Sequence, residues 1–212
     1  MTLIMLTWLS TLFGHPPHPQ PTSAARIPIV TLAVDRSREF PNSLVDKMLG
    51  ESAAIWKPLG VEVMRDATPV AEPPTTVLHV IIVDEPNQEG GSRERLGWIR
   101  FMAPNEPDTI VTLSRGAALQ LLDSTPTLRQ WPAPYRDLLL SRIMGRALAH
   151  ELGHYILASS AHASSGLMRA NLPVDALIAN DRAALLLEGP RGTSRAVSMS
   201  PLQAVVKGCF TR

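Results

Sequence analysis

Apolar and polar positions along this chain follow two rhythms, and the switches between them mark its elements. Arg26 to Val34 (RIPIVTLAV) is rich in β-branched residues and predicts a strand. From Asn42 to Trp56 apolar residues fall at Leu44, Val45, Met48, Leu49, Ala53 and Trp56. That spacing predicts an amphipathic helix, stopped by Pro58 and Gly60. Val61 to Met64 is a short strand. Val77 to Val83 (VLHVIIV) is almost continuously apolar and predicts a buried central strand, with His79 as a core or sheet histidine rather than a ligand. Glu85 to Arg95 is polar and contains glycine, so it predicts a loop. Leu96 to Met102 (LGWIRFM) alternates loosely, as an edge strand would, and Thr109 to Leu113 is another short strand. Ala117 to Leu122 forms a helical turn. Thr125 to Pro134 holds three prolines and predicts a loop. Tyr135 to about Leu157 is the longest helical pattern, with Leu138, Leu139, Ile143, Ala147, Leu148 and Leu152 as its apolar stripe. Past residue 160 the pattern weakens; Val174 to Leu187 predicts a helix, and Gly189 to Arg212 a loose tail.

Composition narrows the function more than the fold. A chain of 212 residues with 45% apolar positions can bury a substantial core as one domain. Twenty basic residues against 19 acidic, with no basic block, argue against a nucleic-acid surface. The single cysteine, Cys209, excludes an intrachain disulfide and a cysteine-rich zinc site. Leu3 to Phe13 has about the length of a secretory apolar segment and is too short to span a membrane. Ser23-Ala24-Ala25 offers small residues for cleavage, although no Lys or Arg precedes the apolar run. The expected layout is a signal peptide and Pro-rich linker over 1–25, with His15 and His18 as linker residues. A domain over 26–189 and a tail over 190–212 follow. The expected location is secreted or periplasmic, with the cytoplasm as the alternative, and without stable membrane insertion.

Chemistry concentrates at residues 150–154, His-Glu-Leu-Gly-His, on the longest predicted helix. Four residues of helix bring His150 and His154 to within about 40° of each other, one turn apart on one face. Both imidazoles can therefore reach one metal. Glu151 is turned by about 100° from His150, which suits contact with a metal-bound water better than ligation. Zinc binds neutral imidazoles and acidifies a water in its open position, and a carboxylate can accept the proton. The neighbours Ala147, Leu148, Ala149, Leu152, Ile156 and Leu157 are apolar, a setting in which three polar side chains are costly unless satisfied. A catalytic zinc wants a third protein ligand. His162 supplies it if the helix stops near Ala158 or Ser159, for which no glycine is provided. Otherwise Asp175, Asp181 or Glu188 must, with Glu188 the best placed of the three.

These residues resemble the zincin metallopeptidases, whose motif is H-E-x-x-H on an active-site helix. Within that group the stretch HELGHYILASSAHASSGLM is most similar to the metzincins, which add a third histidine and a methionine-containing turn. His150, Glu151 and His154 match residue by residue. His162 matches the third ligand with two extra residues, Leu157 stands where that family has glycine, and Ser165-Gly166-Leu167-Met168 resembles the methionine turn, with Met168 below the metal. The resemblance implies an α+β, zincin-like fold: a mixed twisted sheet, two main helices and a small C-terminal subdomain. It implies a Zn2+ cofactor, a peptide or protein substrate aligned along Leu96 to Met102, and Glu151 as general base of a metalloendopeptidase. Three other readings stay open: a gluzincin-type peptidase with Glu188 as third ligand, a non-catalytic metal-binding or interaction module, and a three-histidine nuclease. Tyr155 and Arg169 are candidates for assisting the oxyanion.

Overall fold

The computed structural model describes residues 29–35, 40–65, 76–85 and 95–187. The expected leader, the tail and Glu188 lie outside these. Five strands form one mixed sheet in the order β2-β1-β3-β5-β4. They are β1 (Ile29–Asp35), β2 (Glu62–Arg65), β3 (Thr76–Val83), β4 (Gly97–Ala103) and β5 (Glu106–Ser114). β1, β2, β3 and β5 run parallel to one another, and β4 alone is antiparallel, paired with β5 through a tight turn at Pro104–Asn105. Asn105 adopts a left-handed φ of 62° there, a conformation asparagine tolerates better than most residues. β4 therefore lies at one rim of the sheet, as its loose alternation predicts.

The helices cover one face of this sheet. α1 (Asn42–Trp56) and α4 (Ala133–Ile156) pack on each other and over the strands. Leu32, Leu78, Val80, Ile82, Val111 and Leu113 point into the shared core beside Trp56, Ile143, Leu148 and Leu152. Gly145 permits the close crossing of α1 and α4, because a Cβ there would lie 2.6 Å from the Met48 carbonyl oxygen. Among the described residues the helices lie on one face only, which corrects the expectation for β3. It is the central strand, yet Val77 and His79 are exposed while Leu78 and Val80 are buried. The apolar run is buried on alternate residues only.

Two further expectations fail for local reasons. Thr125 to Pro134 is not one loop: Pro126–Arg129 forms a short helix, α3, and α4 already begins at Ala133. Proline is tolerated in a first helical turn, where its missing N–H has no partner to lose, and both Pro126 and Pro134 occupy such places. The Val174 to Leu187 helix is also broken. α5 spans only Val174–Ile178, and a 3-10 turn follows at Ala183–Leu185. The carbonyls of Ala176 and Ala179 are taken by an arginine side chain. The expected turn at Ala117 to Leu122 grows into α2 (Arg115–Ser124), whose first turn is capped by Ser114 Oγ accepting from the Ala117 N–H at 3.0 Å. No helix among the described residues is long and apolar enough to cross a membrane.

Candidate metal centre

His150, Glu151 and His154 lie on the last two turns of α4, with Glu151 at 6% exposure and His154 at 5%. Each histidine is oriented by a backbone carbonyl. His150 Nδ1 donates to the Leu167 carbonyl at 2.7 Å, and His154 Nδ1 to that of Ser159 at 2.7 Å. A carbonyl only accepts, so each ring carries a proton on Nδ1, and in its neutral form presents a bare Nε2. The two Nε2 atoms face each other at 3.1 Å. Two lone pairs converging at this range call for a cation between them. Bonds of about 2.0–2.1 Å at a tetrahedral angle would set such nitrogens roughly 3.3 Å apart, so the pair fits zinc.

His162 joins them. Its ring centroid is 5.3 Å from that of His150 and 4.9 Å from that of His154. One ligating atom from each of the three lies within 4.8 Å of the others. The chain reaches this point because α4 ends at Ile156, as the spacing of the histidines requires. Ala158 takes a left-handed φ of 46°. Around it the Ser159 N–H reaches back to the His154 carbonyl and the Ala158 N–H to that of Tyr155, both at 3.1 Å. The same turn swings the Ser159 carbonyl under His154.

A second turn completes the support. The Ala163 N–H donates to the Met168 carbonyl at 2.8 Å, and the Arg169 N–H to that of Gly166 at 3.2 Å, with Gly166 at φ 70°. This fold of the chain delivers the Leu167 carbonyl to His150. It also buries Met168 against α4 at Gly153, where a Cβ would stand 2.2 Å from the Met168 sulfur. Met168 thus lies against the helical turn that separates the two histidines.

Glu151 faces β4. A Cβ on Gly97 would stand 3.2 Å from Glu151 Cγ, so the strand can approach only because residue 97 has no side chain. Burial pushes the Glu151 carboxyl up to about 8, opposed by a hydrogen bond from the Ile99 backbone N–H and then by the positive field of Arg95. Burial pushes the His150 imidazole down to about 4, against its bond to Leu167, with His154 and His162 adding to the fall. His162 is lowered too, by burial first and then by His154 and Arg95. Both are held toward the neutral form that metals bind. Phe101, on β4, meets His154 edge-on at 6.4 Å between centroids.

Of the carboxylates weighed as third ligands, Asp175 and Asp181 do not join this cluster, and Glu188 lies outside the described residues. Asp175 and Asp181 are exposed, and the Asp181 side chain caps the Ala183 N–H at 3.0 Å. Tyr155 is half-buried against the core, and Arg169 is exposed beside the second turn. Sequence reasoning missed the two orienting carbonyls, and it missed Gly97 and Gly153 as points of close approach. The glycines were visible as breaks in a strand and a helix; the carbonyls left no signal.

No protein-family model matches the chain, and no curated protein matches it in sequence. Its fold is similar to the crystal structure of a zinc-dependent peptidase from Methanocorpusculum labreanum, at 14% identity and a TM-score of 0.46. The match covers 70% of this chain and 91% of that one.

Proposed function

We propose that this chain is a zinc-dependent peptidase, of metzincin-like arrangement, in which His150, His154 and His162 hold the metal and Glu151 is the general base. The observation that carries the reading is the pair of Nε2 atoms converging at 3.1 Å, each on a ring whose Nδ1 is held by a backbone carbonyl, with a buried Glu151 beside them. Zn2+ bound there would supply an acidified water and polarise a substrate carbonyl. Glu151 would serve there as the group that accepts a proton and passes it on to the leaving amine. The Leu167 and Ser159 carbonyls keep both rings in the ligating tautomer, as outer partners of metal-bound histidines do. β4 closes one rim of the sheet beside Glu151, and an extended peptide laid along it would gain backbone pairing and a fixed position over the base.

Metal analysis and casein cleavage test this together. The purified protein should carry zinc or take it up. His150→Ala and His154→Ala should abolish binding and His162→Ala should weaken it, while Glu188→Ala should leave it intact. Glu151→Gln should keep the metal and lose cleavage by roughly 10²–10⁴-fold. A chain that refuses added zinc, or a Glu151→Gln variant that cuts casein as fast as wild type, overturns the proposal. Zinc loss in Glu188→Ala with none in His162→Ala would transfer the third ligand to Glu188.

A further inference from the structure

Arg142, Arg146, His150 and His154 follow one another at intervals of four on α4, each about 40° round from the last, and so form a stripe that winds along it. The histidines serve the metal centre; the arginines grip the chain that returns from it. Arg146 is 1% exposed. Its Nε donates to Glu51 Oε1 on α1 at 2.8 Å, and its Nη1 to the Ala176 carbonyl. Its Nη2 donates to the carbonyls of Ala179 at 2.9 Å and Asp181 at 2.8 Å. Arg142 Nη1 adds bonds to the Ile178 carbonyl at 2.6 Å and to Asn180 Oδ1 at 3.1 Å. Arg182 closes the group by donating to Glu51 Oε2 at 2.6 Å.

Residues 176–182 are therefore pinned to α4 about one turn before His150. The chain between Leu157 and Ala176 becomes a closed loop, joined covalently to the end of α4 and fastened by Arg146 at the other end. His162 and the Leu167 carbonyl both belong to that loop. We infer that Arg146, seconded by Arg142, is a positioning residue for the metal centre: its clamp on residues 176–181 holds the loop, and with it His162 and the Leu167 carbonyl, in register with His150 and His154.

The inference rests on the zinc reading above. Packing alone does not need an arginine here, since a buried cation loses hydration that an apolar side chain of similar size would not. What arginine adds is geometry. A planar fork of N–H groups reaches one carboxylate and three carbonyls at once, which a single ammonium nitrogen with three donors cannot do. Gly145, the preceding residue, is what admits α1 so closely; a Cβ on it would lie 2.7 Å from Glu51 Cβ. A loop released at one end gains conformations that metal binding must then remove.

The test uses the full chain with Arg146→Lys, Arg142→Lys and the double variant. Zinc affinity is measured by chelator competition, the visible spectrum is recorded with Co2+ in place of zinc, and apo stability is followed in urea. Arg146→Lys keeps the charge opposite Glu51 and should fold, yet bind zinc at least tenfold more weakly, with Co2+ bands shifted toward those of His162→Ala. The double variant should be weaker still. If Arg146→Lys does not fold, Arg142→Lys, which spares the buried pair, should still weaken zinc binding several-fold. A folded Arg146→Lys that binds zinc within twofold of wild type, with an unchanged Co2+ spectrum, overturns the clamp and leaves the metal centre standing. So does an unaltered Arg142→Lys where the other variant fails to fold. A wild-type chain that takes up neither metal overturns both.

Discussion

Replacing Gly153 by alanine tests how tightly the metal-centre helix and the turn beneath it are matched. The added Cβ would stand 2.2 Å from Met168 Sδ, 3.0 Å from its Cε and 3.4 Å from Trp56 Cζ2. Unstrained contacts of this kind lie near 3.5–4.0 Å, so the sulfur must withdraw by more than about 1 Å. Methionine adapts well, but Met168 is buried and Trp56 is anchored by its Nε1–H donating to the Ala149 carbonyl at 3.0 Å. Overpacking of this degree costs about 1–3 kcal/mol, against a helix-propensity gain of up to about 1 kcal/mol. A net loss of roughly 1–2 kcal/mol is expected in the apo protein, or about 2–8 °C in Tm for a domain of this size. The backbone of Met168 follows the Leu167 carbonyl, so zinc binding should weaken as well. A double-mutant cycle with Met168→Ala isolates the cause. Shortening residue 168 makes room for the new methyl, so the two changes should couple by at least about 1 kcal/mol in the favourable direction. Strict additivity, or a Gly153→Ala variant as stable as wild type, would refute the close packing described here.

Two more perturbations follow from the same geometry. Glu151 is raised to about 8 by burial, so the folded apo chain holds a proton that the unfolded chain has released above about 4.5. The Glu151 contribution to the stability of the metal-free protein should therefore fall as pH rises from 4.5 to 8, while the lowered His150 imidazole contributes an opposite rise between about 4 and 6.5. Glu151→Gln should remove that fall, gaining on wild type by on the order of 4 kcal/mol at pH 8 and much less at pH 5; urea titrations giving a pH-independent difference would disprove it. Ala158 sits at φ 46°, where an L side chain costs roughly 1–2 kcal/mol and glycine nothing. After the entropy glycine returns to the unfolded chain, Ala158→Gly should stabilise by up to about 1 kcal/mol without altering zinc affinity, and a lower urea midpoint would contradict the assignment.

The helix-borne half of the site was legible because it depends on one repeat. Spacing by four puts His150 beside His154 in any α-helix, and the apolar stripe makes the helix certain to form. His162 was legible as chemistry but not as geometry. It needed a helix stop that no glycine announces, and the structure makes that stop with Ala158 in a glycine-like conformation. Hydrogen bonds to Ser159 and burial of Met168 against Gly153 hold the turn there, and such tertiary terms override local preference. The same override dissolves the helix expected over 174–187. Its periodicity is real, yet Arg146 draws the carbonyls of Ala176, Ala179 and Asp181 toward itself. In the sequence Arg146 is only one more polar position on a long helix, because the carbonyls it serves lie 30 to 35 residues downstream and Glu51 lies 95 upstream.

That dependence has a direction. Both carbonyls that orient His150 and His154, and the third histidine itself, come from the chain after α4. The helix alone can place two imidazoles near each other, but it cannot choose their tautomers. Without the downstream loop each ring is free to put its proton on Nε2, and the pair becomes a hydrogen-bonded couple rather than a chelate. Ligand number and ligand tautomer therefore depend on the same stretch of chain. Loosening that stretch should disturb the third histidine and the tautomers of the other two together rather than one at a time, which is why its fastening to α4 matters as much as the motif on the helix.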